Sequence, residues 1–227
     1  HGATRQLGVS NASGEYVIYT VDDAVPSSDY WLFKVVRALE ANPDLSVVTI
    51  RQLVTEETDL FSRWTNKVMY EAYGLTADMK YSLRLPEFFD VLPESIKRRM
   101  SFVDDVCACY RKASLLRYGF RSIANGEDVD IGARMARAGE RLGFLYTAGV
   151  YHWHSHGPAY FLKRSYNGMK TFVEVLAGEL PNFKTFSITS IDDIARRGWA
   201  LYQAIQLTLL EWEPGADVSF NDIGVFL

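Results

Sequence analysis

The sequence lacks the features that mark several large classes of protein. It has only 2 cysteines, too few for a disulfide scaffold. Its net charge is −4 and its basic residues form no block, so we expect no nucleic-acid partner. No apolar run approaches the ~20 residues of a membrane-spanning helix, and there is no internal repeat or Gly-rich phosphate loop. What remains is a globular protein with an ordinary apolar fraction of 48%.

The two cysteines, Cys107 and Cys109, stand two positions apart on a predicted strand. We expect them not to pair, and unpaired thiols favour a reducing compartment. We therefore expect a cytoplasmic protein. Peripheral contact with a membrane stays open, because the C-terminal end carries Trp199 and Trp212.

Histidine is also scarce, and its placement is informative. The chain has 4 histidines, of which His152, His154 and His156 lie within five residues. If this stretch is extended, side chains two positions apart point to one face, so the three imidazoles converge. Neutral imidazole is a common metal ligand. The alternative is an exposed strand end with one histidine hydrogen-bonded.

A cluster of carboxylates marks the start of a predicted helix. Glu127, Asp128 and Asp130 follow Gly126, and apolar residues then recur at helical spacing up to Gly139, the predicted stop. The free N–H groups and the dipole of a helix start stabilise a carboxylate as the anion. A general base must be such an ionised, oriented group, so Asp128 is a candidate base. The alternative is that Asp128 only caps the helix.

A second acidic pair, Asp22 and Asp23, follows a predicted strand over residues 16–21. Carboxylates at the C-terminal end of a strand in an α/β sheet lie in the crevice that binds ligands. Adjacent aspartates there suit a hard divalent cation that also holds phosphate oxygens. The alternative is a strand that ends in a polar turn.

The rest of the chain has an α/β pattern followed by a helical end. Asp104 and Asp105 fall within a predicted strand, so one of them must face inward or towards a cleft. The alternative is an edge strand with exposed acids. Residues 55–100 are less regular and rich in aromatics, of which Trp64 is a candidate for stacking on a ligand. Further strands are predicted over residues 45–54, 102–110 and 142–154, and helices over residues 27–41, 158–176 and 191–212.

Three motifs, taken in order, resemble a known family. Gly-Glu-Tyr-Val at residues 14–17 precedes the acidic pair and Pro26. Gly-Glu-Asp-Val-Asp at residues 126–130 precedes a helix, and Val-Tyr-His at residues 150–152 precedes a helical region. Over residues 1–175 the chain resembles the inverting, GT-A-type glycosyltransferases of family 2.

The resemblance implies an α/β fold with a GT-A-like (Rossmann-like) sheet. The N-terminal strands that hold the nucleotide have no counterpart here, so we expect a fragment that is inactive by itself. Residues 1–157 are then a partial catalytic domain, and residues 158–227 are a helical C-terminal extension. An uncovered edge of the strand over residues 16–21 would favour self-association into a homo-oligomer.

The resemblance also implies a chemistry. A sugar passes with inversion from a nucleotide-diphospho-sugar donor to a hydroxyl of a saccharide or lipid-linked acceptor, assisted by divalent Mn or Mg. Val21 stands where the family's Asp-x-Asp motif has its first aspartate, and Asp23 stands at the second. Asp23 and His152 are therefore the expected metal ligands, Asp22 and His154 are reserves, and Asp128 is the expected base. Weaker candidates for substrate binding are Glu127, Asp104, Asp105, His154 and Trp64.

Two other functions stay open. A metal-dependent hydrolase built on the three histidines, with Asp128 or Asp23 completing the site, predicts tight zinc binding by the chain alone. The transferase predicts weak metal binding that needs the nucleotide. The third possibility is a folded binding module without catalysis.

Overall fold

The computed structural model describes residues 1–176, except residues 79, 82, 83, 124, 155 and 156, and scattered positions between 190 and 203. His156 and most of the predicted helix over residues 191–212 lie outside the described residues. The helices are α1 (Gly2–Asn11), α2 (Trp31–Ala41), α3 (Leu60–Ala72), α4 (Glu94–Met100), α5 (Lys112–Tyr118), α6 (Glu127–Arg137) and α7 (Pro158–Leu176), with a 3-10 helix at Pro86–Val91.

The strands form one mixed sheet in the spatial order β1-β5-β3-β6-β2, with β4 paired to β6 beside this path. Strand β5 is antiparallel to β1 and to β3, whereas β3 and β6 are parallel. Among the described strands, β1 pairs only with β5. The strands are β1 (Tyr16–Thr20), β2 (Val25–Pro26), β3 (Leu45–Leu53), β4 (Lys80–Tyr81), β5 (Cys107–Arg111) and β6 (Arg141–Tyr151).

Alternation along the central strands builds a core on each face of the sheet. Val47 on β3 belongs to one apolar cluster together with side chains of α1, α5 and α6. Its neighbour Val48 belongs to the other cluster, which includes the buried stripe of α2. Helices therefore cover both faces, as the continuous apolar pattern of buried strands requires. Cys107 and Cys109 are buried free thiols, as expected.

The strand directions bring polar chain ends to one edge of the sheet. Strands β1, β3 and β6 run the same way, so their C-terminal ends meet. Strand β5 runs the opposite way, so the residues before it reach the same edge. This edge therefore receives Asp22 and Asp23 after β1, Gln52 near the end of β3, and His152 after β6. It also receives Asp104 and Asp105 before β5.

Several predicted boundaries are wrong for identifiable reasons. Helix α2 begins at Trp31, not at Ser27, because β2 and the Ser27 N–H, which donates to the Gly149 carbonyl, extend the sheet instead. Strand β5 begins at Cys107, so Asp104 and Asp105 precede it. The described part of the region 55–100 contains two α-helices and the 3-10 helix, and Asp59 caps the first α-helix by accepting from the Ser62 N–H at 2.9 Å.

Other predictions are confirmed. Helix α7 spans residues 158–176 as predicted. Gly139, with φ +78°, follows the C-cap Ala138 of α6 and so provides the predicted stop. None of the helices that the structure describes combines the length and the apolar character that a membrane span needs. The division at residue 157 stays a prediction.

Candidate active site

Three side chains that can ligate a metal converge at the polar edge of the sheet. His152 Nε2 lies 3.4 Å from Asp23 Oδ1, and His154 Nε2 lies 3.7 Å from Asp23 Oδ2. One ligand atom from each of the three residues lies within 4.8 Å of the others. One carboxylate and two imidazoles can together bind a divalent first-row metal ion. We call Asp23, His152 and His154 the ligand trio.

Backbone pairing explains why the trio converges. The His152 N–H donates to the Leu53 carbonyl at 3.2 Å, which continues the β3–β6 ladder past the end of β6. Two-residue strand β2 pairs with the last residues of β6, Val25 opposite Tyr151. This pairing returns the chain to the sheet directly after Asp23. The Asp23 carboxylate therefore lies beside the ring of His152.

The environments within the trio differ. The side chain of His152 is only 8% exposed, whereas that of Asp23 is 48% exposed. Burial lowers the pKa of His152, although the charge of Asp23 opposes this effect. A lowered pKa keeps the imidazole neutral near pH 7, which is the form that binds metal. Asp23 supplies the accessible negative charge.

Not every predicted site residue joins the trio. Asp22 is exposed and is absent from it. His154, a reserve metal ligand and also a candidate for substrate binding, lies with the possible metal ligands. Trp64 is half-buried on α3. Its stacking on a sugar stays a prediction.

The candidate base lies at the start of α6. Gly126 is the N-cap, with φ +75°, a left-handed conformation that favours glycine. Asp128 is therefore the second residue of the helix, and the alternative that it caps the helix is wrong. Its Oδ1 accepts from the Val129 N–H at 2.8 Å. The remaining oxygen lies at the positive end of the helix dipole.

Burial and neighbouring carboxylates raise the pKa of this candidate base. Burial, and then the negative charges of Asp105 and Asp104, raise the pKa of Asp128 to about 7. Burial likewise raises the pKa of Asp105 to about 6. A carboxylate whose pKa lies near the working pH is well matched to general-base catalysis.

The sequence analysis missed Arg5, which pairs with acidic residues near the base. Its Nε is 3.2 Å from Asp105 Oδ2, and its guanidinium also pairs with the buried Glu127. Asp105 is 1% exposed and accepts from the Tyr110 hydroxyl at 2.6 Å. In this structure Glu127 and Asp105 thus take part in an internal ion-pair network. A lone basic residue on a polar N-terminal helix gives no sequence signal for such a role.

Gln52 is a second residue that the sequence analysis missed. Its Oε1 lies 2.9 Å from His152 Nδ1, and its Nε2 donates to Asp104. Asp104 also accepts from the Val106 N–H at 3.0 Å. The signal that could have identified it is a polar side chain near the C-terminal end of a buried strand, because a buried polar residue there needs a partner.

Two adjoining cavities lie beside the trio. The smaller one, of about 250 Å³, is lined by His152, His154 and polar side chains of α3. The larger one, of about 830 Å³, runs along α7 and shares Thr65 and Arg164 with the first. Asn125 Nδ2 donates to Thr171 Oγ1 at 3.0 Å and so ties α7 to the segment before α6. The basic residues that α7 contributes to the larger cavity are Lys163, Arg164 and Lys170.

Comparison with known proteins identifies the fold. The fold is that of a GT-A glycosyltransferase. Among solved structures it is similar to the mannosyltransferase PcManGT from Pyrobaculum calidifontis, in complex with GDP-Man and Mn²⁺, with a TM-score of 0.54 and 15% sequence identity. The match covers 99% of this chain and 57% of that structure, and at this identity it shows the fold alone.

The sequence itself shows the family. A model of Glycosyl transferase family 2 matches residues 1–119, more than half of the 227 residues. The chain therefore belongs to glycosyl transferase family 2, and the predicted GT-A fold class is confirmed. No curated protein sequence matches the chain.

Proposed function

We propose that the full-length protein transfers a sugar, with inversion, from a nucleotide-diphospho-sugar to an acceptor hydroxyl, assisted by a divalent cation. The observation that carries this proposal is the placement of the two halves of such a site at one sheet edge. The ligand trio follows β1 and β6, and the carboxylates that raise the pKa of Asp128 precede β5.

The base is Asp128. An acceptor hydroxyl is a poor nucleophile, so its proton must leave as the new bond to the anomeric carbon forms. Asp128 accepts that proton at the oxygen that the Val129 N–H does not occupy. Burial, and then the nearby negative charges, make this carboxylate more basic than an ordinary aspartate, which favours proton transfer near pH 7.

The ligand trio would hold the cation, with Mn²⁺ or Mg²⁺ as the expected ion. When bound, such an ion neutralises the charge that develops on the leaving diphosphate. The chain's own contribution is to present one carboxylate and two imidazoles within 4.8 Å. The basic residues that α7 contributes to the larger cavity add positive charge next to the trio, which suits anionic groups of a substrate.

Calorimetry and a transfer assay on the full-length protein test this proposal. Nucleoside diphosphates are titrated with and without Mn²⁺, and a panel of donors, beginning with the GDP-mannose found in PcManGT, is then offered with saccharide and lipid-linked acceptors. We expect nucleotide binding that needs Mn²⁺, and a product whose anomeric configuration by NMR is opposite to that of the donor. Retained configuration would overturn inversion.

The same measurements separate the two alternatives. Tight zinc binding without nucleotide, together with hydrolysis in the absence of any acceptor, would favour a metal-dependent hydrolase built on His152 and His154. Ligand binding without turnover of any donor would favour a binding module. The predicted homo-oligomer is tested independently by light scattering of the 227-residue chain.

A further inference from the structure

A chain of hydrogen bonds runs from Asp104 through the Gln52 side chain to His152. We propose that Gln52 is a positioning residue that fixes the tautomer of His152, so that Nε2 presents a free lone pair to a divalent cation. The inference rests on the proposed metal site, but the position of the proton on the ring can be measured without any metal or substrate.

The chemistry of the three groups leaves one arrangement. A carboxylate such as Asp104 only accepts hydrogen bonds, so the amide of Gln52 must turn its N–H towards it. The amide oxygen of Gln52 then faces His152 Nδ1 at 2.9 Å. Because a carbonyl oxygen only accepts, Nδ1 must carry the proton. In the neutral ring Nε2 is then unprotonated, and it is this atom that lies 3.4 Å from Asp23 Oδ1.

Other hydrogen bonds hold Gln52 and Asp104 in place. The Gln52 N–H donates to the Tyr70 hydroxyl at 2.7 Å, and the Gln52 carbonyl accepts from Asn66 at 3.3 Å. Asp104 is held by the Val106 N–H at 3.0 Å. The glutamine therefore stays in place whether or not an ion is bound. Hydrogen bonds of this kind orient metal-binding histidines and tune their basicity.

The consequence concerns the affinity for the cation. Without an acceptor at Nδ1 the neutral ring is free to carry its proton on Nε2, where it blocks the ligand atom. Loss of such supporting contacts typically weakens metal binding by about 10–100-fold. The effect is specific to the amide, because the backbone contacts of Gln52 do not reach the imidazole.

Three variants of the full-length protein test the proposal. Gln52→Leu removes both side-chain hydrogen bonds at similar volume. Gln52→Glu keeps the acceptor for His152 and loses the donor to Asp104. Tyr70→Phe is the matched control, because it removes the hydroxyl that accepts the Gln52 backbone N–H and leaves the amide intact. The tautomer of His152 is read from its ¹⁵N chemical shifts without metal, and Mn²⁺ affinity is measured by electron paramagnetic resonance.

We expect His152 to carry its proton on Nδ1 in the wild type and in Tyr70→Phe. In Gln52→Leu the proton should move to Nε2, with Mn²⁺ binding about 10–100-fold weaker. Gln52→Glu should restore the Nδ1 proton and part of the affinity. An unchanged tautomer and unchanged Mn²⁺ affinity in Gln52→Leu would overturn the proposal. Absence of glycosyl transfer with the expected tautomers would instead refute only the proposed function.

Discussion

The ligand trio and the region around Asp128 differ in their electrostatics. At the ligand trio, burial lowers the pKa of His152 and keeps it uncharged, while the exposed Asp23 supplies the negative charge. At the start of α6, burial and two neighbouring carboxylates raise the pKa of Asp128 to about 7. The ligand trio is therefore suited to binding a cation, whereas the surroundings of Asp128 contain more negative than positive charge.

This difference separates a half that would depend on a bound ion from a half that depends on the fold. The trio is formed by residues beyond strand ends, where a cation would hold the three side chains together. Beside the base, Arg5 pairs with both Asp105 and Glu127. The basicity of Asp128 is set by the fold, through its burial and the charges of Asp105 and Asp104.

The largest expected effect separates the base from the trio. Asp128→Asn removes proton acceptance with little change in volume, and we expect transfer in the full-length protein to fall by about 10²–10⁴-fold. Mn²⁺-dependent nucleotide binding should change little, because Asp128 is not part of the trio. Steady-state kinetics and calorimetry measure the two effects. Near wild-type turnover would remove Asp128 from the mechanism.

Substitutions in the trio should have the reverse pattern. Asp23→Ala, His152→Ala and His154→Ala should each weaken Mn²⁺-dependent binding of a nucleoside diphosphate by about tenfold or more, because each removes one ligand. Asp22→Ala is the matched control and should do less, since Asp22 is exposed and outside the trio. Calorimetry measures all four. A loss in Asp22→Ala equal to that in Asp23→Ala would contradict the assignment.

A smaller effect concerns the pH dependence of the base. The acid limb of kcat/KM should rise as pH increases through about 7, because Asp128 must lose its proton to act. Asp105→Asn removes a charge that raises the pKa of Asp128 and should shift this limb to lower pH. Arg5→Met removes a charge that lowers this pKa and should shift the limb to higher pH. Equal pH profiles in both variants would show that these charges do not act on the base.

The smallest effect is on stability. The pKa of Asp128 is raised from 3.8 to about 7 in the folded chain, so its protonated form favours the fold. This contribution is complete below about pH 4 and is lost as pH rises through about 7. Asp128→Asn should therefore raise the free energy of unfolding at pH 8 by ~1–2 kcal/mol. Urea denaturation at pH 5 and pH 8 checks this, and a gain that is equal at both values would contradict it.

Much of this arrangement was predictable from the sequence. The apolar run of β1 and the end of β6 predicted where Asp23 and His152 stand, because strand ends of an α/β sheet meet at one edge. The periodicity from Pro158 predicted the full span of α7. Helix α3 was missed although Asp59 and Ser62 form an N-terminal capping signal and apolar residues follow it at helical spacing.

The supporting residues were not predictable in the same way. Gln52 and Arg5 act through contacts with Asp104, Asp105 and Glu127 that are distant in sequence. No local pattern records such a contact, since it depends on the order of strands in the sheet. Sequence therefore indicates the groups that do chemistry more readily than the groups that hold them.

The pairing of β2 with β6 also limits how the chain can change in length. Only residues 21–24 join β1 to β2, and both of these strands are fixed in the sheet. One inserted residue here would have to bulge, and it would turn the Asp23 carboxylate away from His152. The segment between β3 and α3, residues 54–59, has no such second anchor in a strand. Insertions that leave the fold and the ligand trio intact are thus expected in that segment, while the length of the acidic loop stays constant.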